Sequence, residues 1–141
     1  MSRKPAPQAN SAADGEGSPV NCKVLIADDE PNIVVSLEFL MKREGYDVSI
    51  ARDGQQALDA IRRLRPDLVL LDDMMPLRSG LEVLQAVRAD EAVAGTRILM
   101  LTAKGRETDI AKGLALGADA YVTKPFSTRE LAERVRRMLS P

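Results

Sequence analysis

The amino-acid sequence predicts an α/β fold in which helices cover both faces of a parallel sheet. Short apolar runs of strand length alternate five times with stretches in which apolar residues recur at helical spacing. The connections between these stretches are only a few residues long, and regular alternation of this kind builds a parallel sheet. A chain of 141 residues is long enough for one such domain and too short for two of ordinary size.

Each strand is marked by a short apolar run and each helix by an apolar stripe on one face. Pro31 stands at a first helical position, Gly117 closes the fourth helix, and Ser127 and Glu130 have the capping-box spacing that opens the fifth. The strands are expected at 23–27, 48–50, 68–71, 98–101 and 120–122. The helical stripes are Ile33, Leu37, Leu40 and Met41; Ala57, Leu58, Ile61 and Leu64; Leu81, Leu84 and Val87; Ile110, Ala111 and Leu114; and Leu131, Val135, Met138 and Leu139.

The apolar character of the strands predicts their order in the sheet. Strands 1, 3 and 4 are continuously apolar, as strands buried on both faces are, whereas strand 2 alternates and strand 5 is short. Strands 2 and 5 therefore belong at the edges, which gives the order 2-1-3-4-5. In that order ligands bind beyond the carboxyl ends of strands 1 and 3, where the direction of winding reverses.

Composition excludes several classes of function. With 20 Lys and Arg against 21 Asp and Glu, the net charge of −1 gives no general attraction to nucleic acid or to anionic lipid. The absence of histidine excludes Ser-His and Cys-His catalysis and zinc sites of the finger type. The single cysteine, Cys22, fits a reducing cytoplasm, and no apolar run is long enough to span a membrane. Residues 1–21, rich in Pro, Ser, Ala and Gly, are predicted to be a disordered tail before a domain at 22–141.

Polar side chains stand at the carboxyl ends of four predicted strands. These residues are Asp28 and Asp29, Asp72 and Asp73, Thr102, and Lys124. Carboxylates gathered in one pocket repel one another unless a cation neutralises them, and a ligand set of oxygen atoms alone favours Mg²⁺. A carboxylate nucleophile, a metal ion, a lysine and a hydroxyl are the groups that phosphoryl transfer requires. The sequence therefore predicts a phosphoryl-transfer site at this edge of the sheet.

From residue 22 to residue 140 the chain resembles the response-regulator receiver domains of two-component signalling, which have a flavodoxin-like fold. The segments that carry the resemblance are VLIADDEP (24–31), LVLLDDMMP (68–76), MLTAKG (100–105), GADAYVTKPF (117–126) and the RELAERVR that follows. All five occur in order and at the ends of the expected strands.

The resemblance implies a role for each matching residue. Asp72, four residues before Pro76, is implied to be the phosphoacceptor, which takes a phosphoryl group from a sensor histidine kinase or a phosphotransfer protein and loses it slowly. The implied Mg²⁺ ligands are Asp29, Asp72 and the backbone carbonyl of Met74. Asp28 is implied to act through a water molecule or from behind these ligands. The remaining implied roles are phosphoryl contacts for Thr102, Ala103 and Lys124, switching for Thr102 and Tyr121, and a cis peptide bond before Pro125.

The sequence departs from the family pattern directly after the phosphoacceptor, where Asp73 replaces the usual apolar residue. Neighbouring side chains of a strand point to opposite sides, so Asp72 and Asp73 cannot both enter the pocket. We expect Asp73 to add negative potential that changes Mg²⁺ affinity or the choice of kinase. Met74 and Lys104 are expected to flank the phosphoryl group and to control the access of water.

The resemblance also implies an output surface formed by helix 4, strand 5 and helix 5, where a downstream protein would bind. Asp119, Glu130 and Arg134 match a charged ladder through which some DNA-binding relatives dimerise. Apolar side chains occupy other positions of that ladder, at Ile110, Ala115 and Ala120. We therefore expect a monomer or a weak dimer. The chain stops at Pro141, directly after the last helix, which predicts a receiver domain that stands alone and does not bind nucleic acid itself.

Two other functions are weighed against this signalling module. A hydrolase that uses an aspartyl-phosphate intermediate would need a second acid two residues after Asp72, but Met74 stands there. An interaction domain that has lost phosphorylation is disfavoured because Asp29, Asp72, Thr102 and Lys124 are all present. We expect a phosphoacceptor rather than an enzyme.

Overall fold

The computed structural model describes residues 22–103 and 106–140, in which five strands and five helices alternate along the chain. The strands are β1 (Lys23–Ala27), β2 (Asp47–Ala51), β3 (Leu68–Asp72), β4 (Arg97–Ala103) and β5 (Ala120–Lys124). The helices are α1 (Pro31–Arg43), α2 (Gly54–Leu64), α3 (Gly80–Ala89), α4 (Glu107–Ala115) and α5 (Thr128–Leu139). The predicted tail at 1–21, Lys104 and Pro141 lie outside the described residues.

The strands form one parallel sheet in the order β2-β1-β3-β4-β5, which confirms the predicted flavodoxin-like fold and strand order. Every residue of β3 is buried, as its continuous apolar run requires. β2 and β5 are only partly buried and stand at the two edges. The pattern of burial thus follows the pattern of the sequence.

Two apolar cores lie on opposite faces of the sheet. Alternate residues of each central strand enter different cores, because successive side chains of a strand point to opposite faces. One core packs Leu25, Val69 and Ile98 against α2 and α3. The other packs their strand neighbours, such as Ile26 and Leu70, against α1 and α5. The sheet is therefore covered on both faces, as the sequence predicts.

The helix ends follow the local sequence signals. α1 begins at Pro31. α4 ends at Ala115, and Gly117, two residues later, has a φ of 107°, a conformation that glycine adopts at little cost. The N–H of Ala118 donates to the carbonyl of Gly113, which completes the turn that terminates α4. α5 begins as predicted, since the N–H of Glu130 donates to Ser127 Oγ at 3.2 Å.

Because the strands are parallel, their amino ends lie along one side of the sheet and their carboxyl ends along the opposite side. These two sides are called the amino edge and the carboxyl edge. β1 begins at the amino edge, where the N–H of Lys23 donates to Asp67 at 2.7 Å. α5 returns to that same edge, and its Arg136 pairs with Glu44, the residue directly after α1, at 2.7 Å. The predicted site residues Asp28, Asp72, Thr102 and Lys124 lie at the opposite, carboxyl edge. No helix among the described residues is long and apolar enough to cross a membrane.

Candidate functional site

Three carboxylates meet where β1 and β3 end. Ala27 pairs with Leu71 in the sheet, so the next residues of the two strands, Asp28 and Asp72, are neighbours. Asp28 is fully buried and Asp72 is nearly so, whereas Asp29 is exposed. Each of these three residues offers an oxygen, and the three oxygens all lie within 4.8 Å of one another. A compact set of carboxylate oxygens, open to solvent on one side, fits a hard divalent cation such as Mg²⁺.

Lys124 neutralises part of this negative charge. Its ammonium group lies 3.0 Å from Asp28, 3.4 Å from Asp72 and 2.9 Å from Glu30. Burial lowers the pKa of Lys124, but the hydrogen bonds that its ammonium group donates to Glu30 and Asp28, together with the charge of Asp72, outweigh burial and raise it. The side chain therefore remains a cation at any physiological pH, in contact with three carboxylates.

The surroundings of Asp72 disfavour the ionised form of its carboxyl group. Burial and the neighbouring charge of Asp28 raise the pKa of Asp72 to about 7, although Lys124 and the N–H of Met74 act in the opposite direction. The N–H of Met74 donates to the Asp72 carboxylate at 3.3 Å. Without a further cation, Asp72 is thus partly protonated at neutral pH.

The residues at the ends of β4 and β5 border the same pocket. Ala103 pairs with Lys124 across the two strands, and Thr102 pairs with Thr123. Thr102 is fully buried, and its hydroxyl oxygen has no hydrogen-bond partner among residues 22–103 and 106–140. Such a hydroxyl group fits a site that receives a further acceptor, as a phosphoryl oxygen would be. Ala103, which is exposed, leaves space at the mouth of the pocket.

A scan against protein-family models matches residues 24–136 to the response regulator receiver domain. The chain belongs to the response regulator receiver domain family. Membership implies a signalling module that accepts a phosphoryl group. In this receiver domain the acids, the lysine and the hydroxyl group described above lie at one site.

Solved receiver domains share both the fold and about a third of the sequence. The receiver domain of the Francisella response regulator 1452 is 34% identical, with a TM-score of 0.77 over 84% of this chain and 97% of that one. The chemotaxis response regulator CheY4 of Vibrio cholerae is 33% identical, with a TM-score of 0.79 over 85% of this chain and 100% of that one. A CheY-like receiver domain protein from Methanospirillum hungatei is 30% identical, with a TM-score of 0.78 over 84% and 94%.

The structure separates Asp73 from the acidic pocket of this receiver domain. Asp73 is 2% exposed, and its carboxylate pairs with Arg106 at 3.2 Å, on the opposite side of β3 from Lys124. Arg106 also binds Asp109 on the first turn of α4. Burial, followed by the contact with Asp109, raises the pKa of Asp73, although Arg106 lowers it. Asp73 also makes a small contribution to the raised pKa of Asp72.

Two further predicted residues, Met74 and Tyr121, are exposed to solvent. Met74 is 55% exposed beside Asp72, and Tyr121 is 40% exposed on the edge strand β5. The Lys124–Pro125 peptide bond is cis, the geometry that the resemblance implies. Lys104 lies outside the described residues.

Sequence reasoning gave no role to two residues that contact the site. Glu30 pairs with Lys124, and Arg106 pairs with Asp73. A third acid directly after Asp28 and Asp29 could have indicated Glu30. No comparable signal exists for Arg106, because 33 positions separate it from Asp73.

Proposed function

We propose that this receiver domain accepts a phosphoryl group on Asp72 in a reaction that depends on Mg²⁺. The observation that supports the proposal is the position of Asp72, within 4.8 Å of two further carboxylates and 3.4 Å from the ammonium group of Lys124. An acid so placed can act as a nucleophile, while the surrounding groups compensate the charge that the phosphoryl oxygens bring.

The donor in this proposal is the phosphorylated histidine of a sensor kinase or of a phosphotransfer protein. An Asp72 oxygen forms the new bond to phosphorus, the bond from phosphorus to the donor imidazole nitrogen breaks, and the imidazole leaves. Asp29, Asp72 and the backbone carbonyl of Met74 would hold the Mg²⁺, with Asp28 acting from behind these ligands or through a water molecule, and the ion would neutralise phosphoryl charge when bound. Binding the ion also favours the ionised, nucleophilic form of Asp72 over the protonated one.

Lys124, Thr102 and Ala103 would surround the transferred group. Lys124 can exchange its contact with Glu30, which is exposed, for a phosphoryl oxygen without leaving the pocket. Thr102 would donate its hydroxyl, and Ala103 would leave space beside it. Water that reaches this group would slowly hydrolyse the acyl phosphate, and Met74 and Lys104 would limit its access.

The output in this proposal is a change in the population of one surface, formed by α4, β5 and α5. Tyr121 stands on this surface, at the wall of a cavity of about 350 Å³ that Phe126, Glu130 and Arg134 also line. A movement of Thr102 toward the phosphoryl group would leave room for Tyr121 to turn inward. A downstream protein would distinguish the two states at this surface. The reducing cytoplasm, which the lone Cys22 fits, is the compartment we propose.

The decisive experiment is the intact mass of the protein after incubation with acetyl phosphate and Mg²⁺. We expect the wild type to gain one phosphoryl group, and to gain none in EDTA. Asp72→Asn should gain none, whereas Asp73→Asn, which removes the adjacent carboxylate, should still be phosphorylated.

Two results would overturn the proposal. A wild type that gains no mass, under conditions in which another receiver domain reacts, would identify an interaction domain that works without phosphorylation. Steady turnover of a generic phosphoester would instead identify a hydrolase.

A further inference from the structure

Asp73 is a buried carboxylate on a fixed piece of backbone. Its N–H donates to the carbonyl of Leu101 at 3.1 Å, and its carbonyl accepts from the N–H of Gly80 at 3.0 Å. A Cβ atom on Gly80 would lie 2.1 Å from the carbonyl oxygen of Asp72, so the start of α3 is pressed against this segment. Asp73 can therefore move little, and it provides a rigid anchor directly after Asp72.

Arg106 connects this anchor to α4. Its Nε lies 3.2 Å from Asp73 and 2.9 Å from Asp109, and its Nη2 lies 3.4 Å from the sulfur of Met74. Arg106 is the residue directly before α4, and its own N–H donates to Ala103 at 3.2 Å. One guanidinium group thus joins the end of β3, the first turn of α4 and a side chain at the pocket mouth.

α4 is only lightly packed against the rest of the domain, so its position depends on the contacts of Arg106. Gly113 is the only buried residue of α4, whereas α5 buries four residues, Leu131, Ala132, Val135 and Leu139. A helix with so little apolar contact depends strongly on the polar contacts that hold it. An ionised side chain as buried as Asp73 is costly unless it is paired, and an apolar residue would fill the same place without that cost.

We propose that Asp73 is a positioning residue: through Arg106 it holds α4 and Met74 against the phosphoacceptor strand, and so it prolongs the life of the phosphoryl group on Asp72. The second part of this inference rests on the proposed function. Arg106 has a second partner in Asp109, so it can leave Asp73 without losing all its pairing. The contact between Asp73 and Arg106, which we call the tether, can therefore open while α4 keeps its first turn.

The experiment compares Asp73→Leu, Arg106→Gln and the double variant by two measurements. Hydrogen exchange of the α4 amides is measured in the unphosphorylated protein, which needs no phosphoryl chemistry. Each single variant should exchange about tenfold faster in α4, the factor expected for the loss of one charge-assisted hydrogen bond. The double variant should exchange no faster than the faster single variant, because both changes break the same contact.

The second measurement is the half-life of the phosphorylated form after acetyl phosphate is removed. It should shorten in both single variants, by up to about tenfold if water enters only when the tether is open. Arg62→Gln is the matched control, since it breaks an ion pair with Asp90 of similar length, 3.1 Å, away from the pocket. It should leave both measurements at the wild-type value.

Asp73→Leu distinguishes positioning from a general contribution to stability. It removes a buried charge, so the amides of β1 and β3 should exchange no faster than in the wild type while those of α4 do. Unchanged exchange in α4, or effects of the two substitutions that simply add, would overturn the tether. Faster exchange with an unchanged half-life would overturn the role in phosphoryl lifetime. A wild type that takes no phosphoryl group would overturn the proposed function, while exchange in α4 would still decide the tether.

Discussion

At the scale of single residues, the surroundings of Asp72 disfavour its ionised form and also form a site for a cation. The same burial and the same neighbouring carboxylate that raise its pKa to about 7 also prepare the pocket for a cation. A native-state pKa above the ordinary value of 3.8 means that the folded protein binds this proton more tightly than the unfolded chain does. Between these two pKa values, stability therefore falls as the pH rises.

We expect Asp72→Asn to stabilise the protein at pH 7.5, by about 1–3 kcal/mol in the absence of divalent ions, because it removes a buried charge. The difference should shrink as the pH falls toward 5, where Asp72 in the folded protein is protonated. Urea unfolding at both pH values checks this. Asp47→Asn, which removes an exposed carboxylate at the amino edge, is the control variant. Destabilisation by Asp72→Asn at pH 7.5 would show that ionised Asp72 is favourably paired.

How far the sequence predicts the site depends on how each residue reaches it. Asp28 directly follows β1, and Asp72 and Lys124 are the last residues of β3 and β5, so strand order alone brings them to one edge. The structure places Lys124 in contact with both acids. The pairing of Asp73 with Arg106 depends instead on the path of the chain between β4 and α4. The sequence contains several arginines, and only packing decides which of them meets a given acid.

At the scale of elements, the sequence predicts best where a local signal decides the structure. Gly117 at the end of α4 and Ser127 at the start of α5 have such signals, and both predictions are confirmed. The capping box at the start of α3, formed by Ser79 and Glu82, was not predicted although its spacing is readable. β4 extends two residues beyond its apolar run, because Thr102 and Ala103 pair with β5.

We expect Gly117→Ala to destabilise the protein by about 1–2 kcal/mol, because its φ of 107° is strained for any residue with a Cβ. The added Cβ would also lie 3.1 Å from Nε of Arg88, which donates to the carbonyl of Gly117. Gly95→Ala is the matched control, since its Cβ would meet nothing within 4 Å. Chemical denaturation of both variants checks this, and equal stabilities would contradict the strain at Gly117.

At the scale of the whole molecule, Asp119 is engaged within its own chain. Its carboxylate accepts from the N–H of Ile98 at 2.8 Å and from Arg88 at 3.0 Å. A charged ladder between two copies would have to compete with these contacts. The structure therefore supports the expectation, made from Ile110, Ala115 and Ala120, that few ion pairs are available for a dimer.

We expect light scattering to show a monomer at micromolar concentrations, both before and after treatment with acetyl phosphate and Mg²⁺. Self-association at higher concentration should be weak, since exposed ion pairs each contribute about 1 kcal/mol or less. Arg134→Ala should leave the mass unchanged in both states. A tight dimer that forms on phosphorylation and is lost in Arg134→Ala would contradict this expectation.

The return of α5 to the amino edge has a practical consequence for experiments on this protein. β1 starts and α5 finishes on the side of the sheet away from Asp72. A fluorescent reporter or a surface anchor attached at Lys23 or at Ser140, both of which are exposed, would therefore be joined on that far side. A sensor protein that approaches Asp72 would meet the same pocket in the tagged protein as in the untagged one. Both ends of the domain can thus carry probes while the carboxyl edge stays open for a phosphoryl donor.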